Sequence, residues 1–230
     1  LHTNLSADAN LAYMSYDTKK LGMDDAYRFA KGEAVVAFDG HSSAKLDRPL
    51  DFLVVTDHAE NLGLLTTWKG ENKTLLETLK TPAYQWVYDR LVNGKYNDEK
   101  NKYWGHDSKA MARLFTKDGT HEQTITTSDL TSVWQQVIAS AERHNDPGKF
   151  TAFIGYEWTS FGVRPGAKSN LHRVVIFKDG EDKTKKIIPF SAFDSIDPED
   201  LWDFLGKFEK NTGGEVLAIP HNGNVTDGRM

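Results

Sequence analysis

Four of the eight histidines in this 230-residue chain stand where chemistry could be built. His58 and His221 follow apolar runs, His172 sits inside one beside polar residues, and His2 lies near the start of the chain. Acids accompany them: Asp8 six residues after His2, Asp57 and Glu60 around His58, and Glu157 within Ile154-Gly155-Tyr156-Glu157-Trp158. Imidazole nitrogens combined with carboxylate oxygens form a ligand set that suits Zn, Mn or Fe, whereas all-oxygen sets suit Mg or Ca.

Each of these residues also has an ordinary structural reading. His2 alone reads best as a frayed terminal residue, and Thr56-Asp57-His58 as a strand-to-helix turn with Asp57 as N-cap. His172, beside Arg173, reads alone as a satisfied core histidine, and Pro220-His221-Asn222-Gly223-Asn224 as a plain turn. Glu157 is harder to set aside, because an unpaired carboxylate in an apolar run costs several kcal/mol to bury. The case for a site rests on all of them occurring together at strand ends. His41, His106, His121 and His144 lie in polar surroundings and read as solvated surface.

Short apolar runs must position these residues. Residues 50–56 (LDFLVVT), 150–158 (FTAFIGYEW), 171–177 (LHRVVIF) and 215–220 (EVLAIP) read as buried strands of a central, largely parallel sheet. Helical patterns separate them: residues 24–31, residues 128–144 with Ser128 as N-cap, and residues 198–210 opening on Pro198 and closing at Gly213-Gly214. Strand-helix alternation predicts α/β architecture, in which strand carboxyl ends converge on one face. Residues 65–127 are polar, carry Trp68, Trp86 and Trp104, and read as a helical insertion that could serve as a lid, with turns at Asn93-Gly94 and Asp118-Gly119. A single domain over 1–230 with that insertion is the simplest organisation.

Composition narrows the function classes. With 39% hydrophobic residues and 27% charged ones, the chain can bury one sizeable core. A net charge of −5 offers no basic excess for a nucleic-acid backbone. The absence of cysteine removes disulfides, thiolate metal sites and a Cys nucleophile. It also suits a periplasmic or secreted setting while leaving the cytoplasm open. No apolar run is long enough to cross a bilayer. The chain opens on Leu1-His2 without Met, which reads as a trimmed protein or part of a longer one.

The chain resembles the polymerase-and-histidinol-phosphatase (PHP) superfamily of metal-dependent phosphoesterases. More closely, it is similar to the bacterial branch of PHP-like proteins catalogued as domain of unknown function 3604. The resemblance is carried by residues 2–9 (HTNLSADA), 24–33 (DDAYRFAKGE), 50–60 (LDFLVVTDHAE), 153–160 (FIGYEWTS), 170–177 (NLHRVVIF) and 217–224 (LAIPHNGN). It implies a distorted (β/α)7 TIM-like barrel, here incomplete at both ends. It also implies two or three divalent ions (Zn, Mn or Fe) at the strand carboxyl ends, held by His2, Asp8, His58, Glu157, His172 and His221. Glu157 corresponds to a metal-bridging glutamate. Asp57 and Glu60 would orient ligands or handle a proton, and Arg173, Asn222 and Asn224 would contact a small-molecule substrate. The family's first His would fall just before Leu1 and its final Asp-x-His pair after Met230.

The expected function is therefore metal-dependent hydrolysis of a phosphomonoester or phosphodiester, with neither nucleic acid nor membrane as partner and the oligomeric state open. Two alternatives stand beside it. One is an amidohydrolase-like enzyme cleaving carbon-nitrogen or carboxylic ester bonds, although no lysine sits at a matching strand end. The other is a non-catalytic metal-binding or scaffold module.

Overall fold

In β4 (Thr151–Thr159), Ala152, Ile154, Tyr156 and Trp158 are buried on one face of the sheet, and from Ile154 onward the residues of the other face are buried as well. The computed structural model describes residues 1–6, 21–37, 40–67, 125–160, 171–223 and 226. In chain order, the elements before β4 are α1 (Met23–Ala30), β1 (Val35–Val36), β2 (Ser43–Ala44), β3 (Phe52–Val54), α2 (Leu64–Thr67) and α3 (Thr127–His144). After it come β5 (His172–Phe177), α4 (Glu181–Thr184), α5 (Pro198–Thr212) and β6 (Val216–His221). β1 and β2 pair as a small antiparallel ribbon, and the main sheet runs β3-β4-β5-β6.

The expected (β/α)7 barrel is not what forms. Among the described residues the main sheet is open, and only β3 and β4 run parallel, whereas β4/β5 and β5/β6 are antiparallel. The result is a mixed α/β fold, not a closed ring of parallel strands. The physical reason lies between β4 and β5. A parallel return needs a crossover of a dozen or more residues, usually helical. The residues that join β4 to β5, 160–171, are at the lower end of that length and carry Gly162, Pro165 and Gly166, which disfavour a helix.

Helices cover one face of the sheet. Trp134 of α3 meets the rings of Tyr156 and Phe177 edge-on at 6.0 and 6.2 Å, and its indole N–H donates to the Thr184 carbonyl at 3.1 Å. Phe208 of α5 packs on Phe177 at 5.0 Å. These desolvated aromatics help hold the sheet to its helices, at roughly 2–3 kcal/mol for each large side chain. α1 is tied to α3 by Asp24, whose Oδ1 accepts from Ser140, Arg143 and His144. His144 also stacks on Tyr27 at 5.2 Å, so it is a packed interhelical residue and not solvated surface.

The N-cap of α3 is Thr126, which accepts from the Asp129 N–H at 3.1 Å, two residues before the expected Ser128. α5 starts as expected, with Pro198 in its first turn behind the Asp197 cap, and ends on Gly213 at φ 65°, where a left-handed residue closes the helix. Most of the expected insertion, including its three tryptophans and both turns, lies outside the described residues. No helix among the described residues is long and apolar enough to cross a membrane.

Candidate metal centre

Strand register alone brings the distant histidines together. A bridge sets His58 directly beside Glu157 across the β3/β4 pair. Thr159 lies opposite His172, and His172 lies opposite His221. Residues directly opposite share a face, and Glu157 and Thr159 are two apart on one strand, so all five side chains project the same way. His2 joins from the far side of β3. The Leu1 carbonyl accepts from Thr56 N–H at 3.1 Å, and Asp57 accepts the Thr3 N–H at 2.5 Å and its hydroxyl at 2.6 Å.

The product is a buried carboxylate ringed by four imidazoles. Glu157 is 0% exposed. Its Oε1 lies 2.6 Å from His172 Nδ1, 2.8 Å from His221 Nε2 and 3.7 Å from His58 Nδ1, and its Oε2 lies 3.4 Å from His2 Nε2. Burial by itself would raise the Glu157 carboxyl, but hydrogen bonds and charge from His172, His2, His58 and His221 outweigh it and hold the group well below the usual carboxylate range. An ionised carboxylate only accepts, so His172 donates from Nδ1 and its neutral form keeps the lone pair on Nε2.

Buried donor atoms without partners show what the cluster fits. Among the described residues His172 Nε2 is buried without a hydrogen-bond partner, and His221 Nε2 and Glu157 Oε2 are buried with only the ion-pair contacts to Glu157 and His2 given above. Such atoms are costly unless a ligand meets them. Two three-residue groups, His2/His58/Glu157 and Glu157/His172/His221, bring their ligand atoms within 4.8 Å of one another and could each hold a metal ion. The two groups share Glu157.

Hydroxyls support the ring. Thr159 Oγ1 stands 2.7 Å from His58 Nδ1, 3.1 Å from His172 Nδ1 and 3.3 Å from Glu157 Oε1. Ser6 Oγ accepts the His58 N–H at 2.9 Å, lies 2.8 Å from His2 Nδ1, and bonds Asp57. Ser6 thus ties the ring of His2 to the backbone that carries His58. Neither hydroxyl was singled out from the sequence. The spacing that marks Thr159 was present there, since it is two residues beyond Glu157 on the same strand face.

The other expected residues are placed as follows. Asp57 is buried and both its oxygens are engaged by Thr3, so it anchors the segment that carries His2. Burial pushes its carboxyl up despite those bonds. Glu60 Oε1 accepts from Thr159 N–H at 3.1 Å and Ala192 N–H at 2.8 Å, while Oε2 is buried without a hydrogen-bond partner, 3.9 Å from His58 Nδ1. Burial raises Glu60 to about 7 against the pull of His58. Asn222 is exposed and holds a left-handed backbone, φ 57°, immediately after His221. Arg173 is buried, and strand alternation turns it away from the face that carries His172. Asp8 and Asn224 lie outside the described residues.

The family model described as Protein of unknown function (DUF3604) matches residues 1–230. The chain belongs to the DUF3604 family. No curated protein and no solved structure matches it. In this DUF3604 chain, four of the residues that carry the sequence motifs, His58, Glu157, His172 and His221, converge with His2 at one end of the sheet.

Proposed function

We propose that this chain is a metal-dependent hydrolase of phosphate esters, in line with its resemblance to the PHP superfamily. One observation carries the reading: an ionised, fully buried Glu157 stands among four imidazoles, and His172 Nε2 is buried there with no hydrogen-bond partner among the described residues. A purely structural polar cluster would close its own hydrogen bonds.

In this reading His2, His58, Glu157, His172 and His221 hold one or two divalent cations of the Zn, Mn or Fe type, with Glu157 common to both groups. A cation bound there supplies Lewis-acid polarisation of a phosphoryl oxygen and makes a water acidic near neutral pH. The chain's own residues set the geometry. Ser6 and Asp57 fix the ring of His2, and Thr159 fixes His58 and His172. Glu60, bonded to two backbone N–H groups, holds a proton on Oε2 near neutrality next to His58. The negative charge of the protein as a whole does not favour an anionic substrate, so the attraction is local, from the imidazoles and their cations.

The test is a substrate panel run on the full chain after loading with Zn, Mn or Fe. Hydrolysis of phosphomonoesters or phosphodiesters above amides and carboxylic esters is expected. Turnover confined to amides or carboxylic esters would overturn the phosphoesterase assignment.

A further inference from the structure

The sheet face that carries the histidines is apolar beyond them. Register fixes which side chains share it: Val174 stands opposite Glu157, Ile219 opposite Val174, and Leu217 opposite Ile176. Phe153 lies on the same face of β4 as Glu157, and its ring meets Phe52 of β3 edge-on at 6.1 Å. Phe52 is 60% exposed, Leu217 57% and Ile219 40%. Val216 and Ala218, which alternate with them in β6, turn the other way and pack against the core. On the face of the cluster, strands β3 to β6 present no ionisable side chain besides Glu157, His172 and His221.

Contiguous apolar surface open to water marks a binding surface. Strand addition by a second copy is disfavoured at the adjoining sheet edge, β6, because Pro220 has no N–H and the Val216 N–H is taken by Glu209 Oε1 at 3.2 Å. What the strip does adjoin is the His/Glu cluster. Along β6, Ile219 lies about 7 Å and Leu217 about 13 Å from His221. A molecule held at the cluster by its head therefore has this strip beside it. We infer that the substrate is a soluble phosphate ester of an apolar alcohol, whose alkyl or aryl group lies along Val174, Ile219 and Leu217 while its phosphoryl group meets the cluster. The inference rests on the phosphoesterase reading and adds the class of alcohol to it. Water adds to phosphorus, the P–O bond to the apolar alcohol breaks, and that alcohol leaves with one proton of the water.

Alkyl phosphonates, whose carbon-phosphorus bond resists hydrolysis, read binding apart from turnover. Methyl-, butyl- and octylphosphonate are titrated calorimetrically, below micelle-forming concentrations, into the metal-loaded full chain of wild type, Ile219→Ser and Leu217→Ser. Wild-type affinity should rise with chain length, roughly three- to fourfold for each methylene that leaves water. Both substituted positions are exposed, so the changes spare the core, and metal content reports that the cluster is intact. Each variant should flatten the dependence on chain length. No binding, affinity independent of chain length, or wild-type dependence in both variants overturns the assignment. So does a concentration-dependent dimer in sedimentation that the variants abolish, because a second copy then covers the strip. Chain-length-dependent binding without turnover of the matching alkyl phosphates removes the phosphoesterase reading and keeps the apolar subsite. Turnover with equal kcat/KM from methyl to octyl phosphate keeps that reading and removes the subsite.

Discussion

His172 Nδ1 lies 2.6 Å from Glu157 Oε1, and that bond leaves His172 Nε2 buried without a partner. The same contact thus keeps Glu157 ionised and exposes the imidazole lone pair that a cation would take. Thr159, with its hydroxyl 3.1 Å from the same Nδ1 and 2.7 Å from His58 Nδ1, locks the arrangement. Thr159→Val keeps the shape of the side chain and removes the hydroxyl. Metal affinity should fall roughly tenfold or more with little change in fold, as outer hydrogen bonds to ligands usually contribute that much. Unchanged affinity by metal titration would show that Thr159 does not orient the ring.

Glu60 gives a pH dependence whose sign can be worked out. Its folded carboxyl is raised from 4.5 to about 7, chiefly by burial. The folded state therefore binds more protons than the unfolded one across that interval. The stability linked to Glu60 is fully present below pH 4.5 and is lost as pH rises through 7. In the chelator-treated chain, Glu60→Gln should abolish this loss. Relative to wild type, the variant should gain stability between pH 4.5 and 8, on the order of 3 kcal/mol. Urea unfolding at the two pH values measures it, and a constant difference between the two proteins would contradict the sign.

Gly155 is where β4 must come close to its neighbours. A Cβ there would stand 2.5 Å from the Val175 carbonyl oxygen and 2.6 Å from Val54 Cγ2. The carbonyl is sheet backbone and cannot give way cheaply. Gly155→Ala should destabilise the chain by about 1–3 kcal/mol and, by shifting β4, weaken metal binding through Glu157. Chemical denaturation with metal analysis of the folded fraction reads both.

Asn222 sets the exit of β6 behind His221. Its φ of 57° is tolerated by Asn and Gly and resisted by β-branched residues. Asn222→Gly should change stability by no more than about 0.5 kcal/mol. Asn222→Val should cost about 1–2 kcal/mol and displace His221. Equal stability of the two variants would remove backbone strain as the role of Asn222.

The strands and the histidines were legible in the sequence for one physical reason. Runs such as residues 150–158 are apolar for most of their length, so a Glu157 inside one stands out against the cost of burying it. Strand direction was not legible from those runs, because buried parallel and antiparallel strands read alike. Gly162, Pro165 and Gly166 between β4 and β5 were the one hint in the sequence against a helical crossover there. Ser6 and Thr159 were overlooked because hydroxyl residues are common everywhere. Only the β4/β5 register, with Thr159 opposite His172, shows that one of them lies inside the cluster. Arg173 was noticed for its place beside His172, but only the strand register shows that it lies on the opposite face of the sheet from that histidine.

The most direct measurement is divalent metal bound per chain, by mass spectrometry of the full chain after loading and desalting. Wild type should retain at least one ion, and Glu157→Ala, which removes the carboxylate shared by both groups, should lose nearly all of it while remaining folded by circular dichroism. Wild type that retains no metal, or Glu157→Ala that retains as much as wild type, would contradict a metal centre built on Glu157.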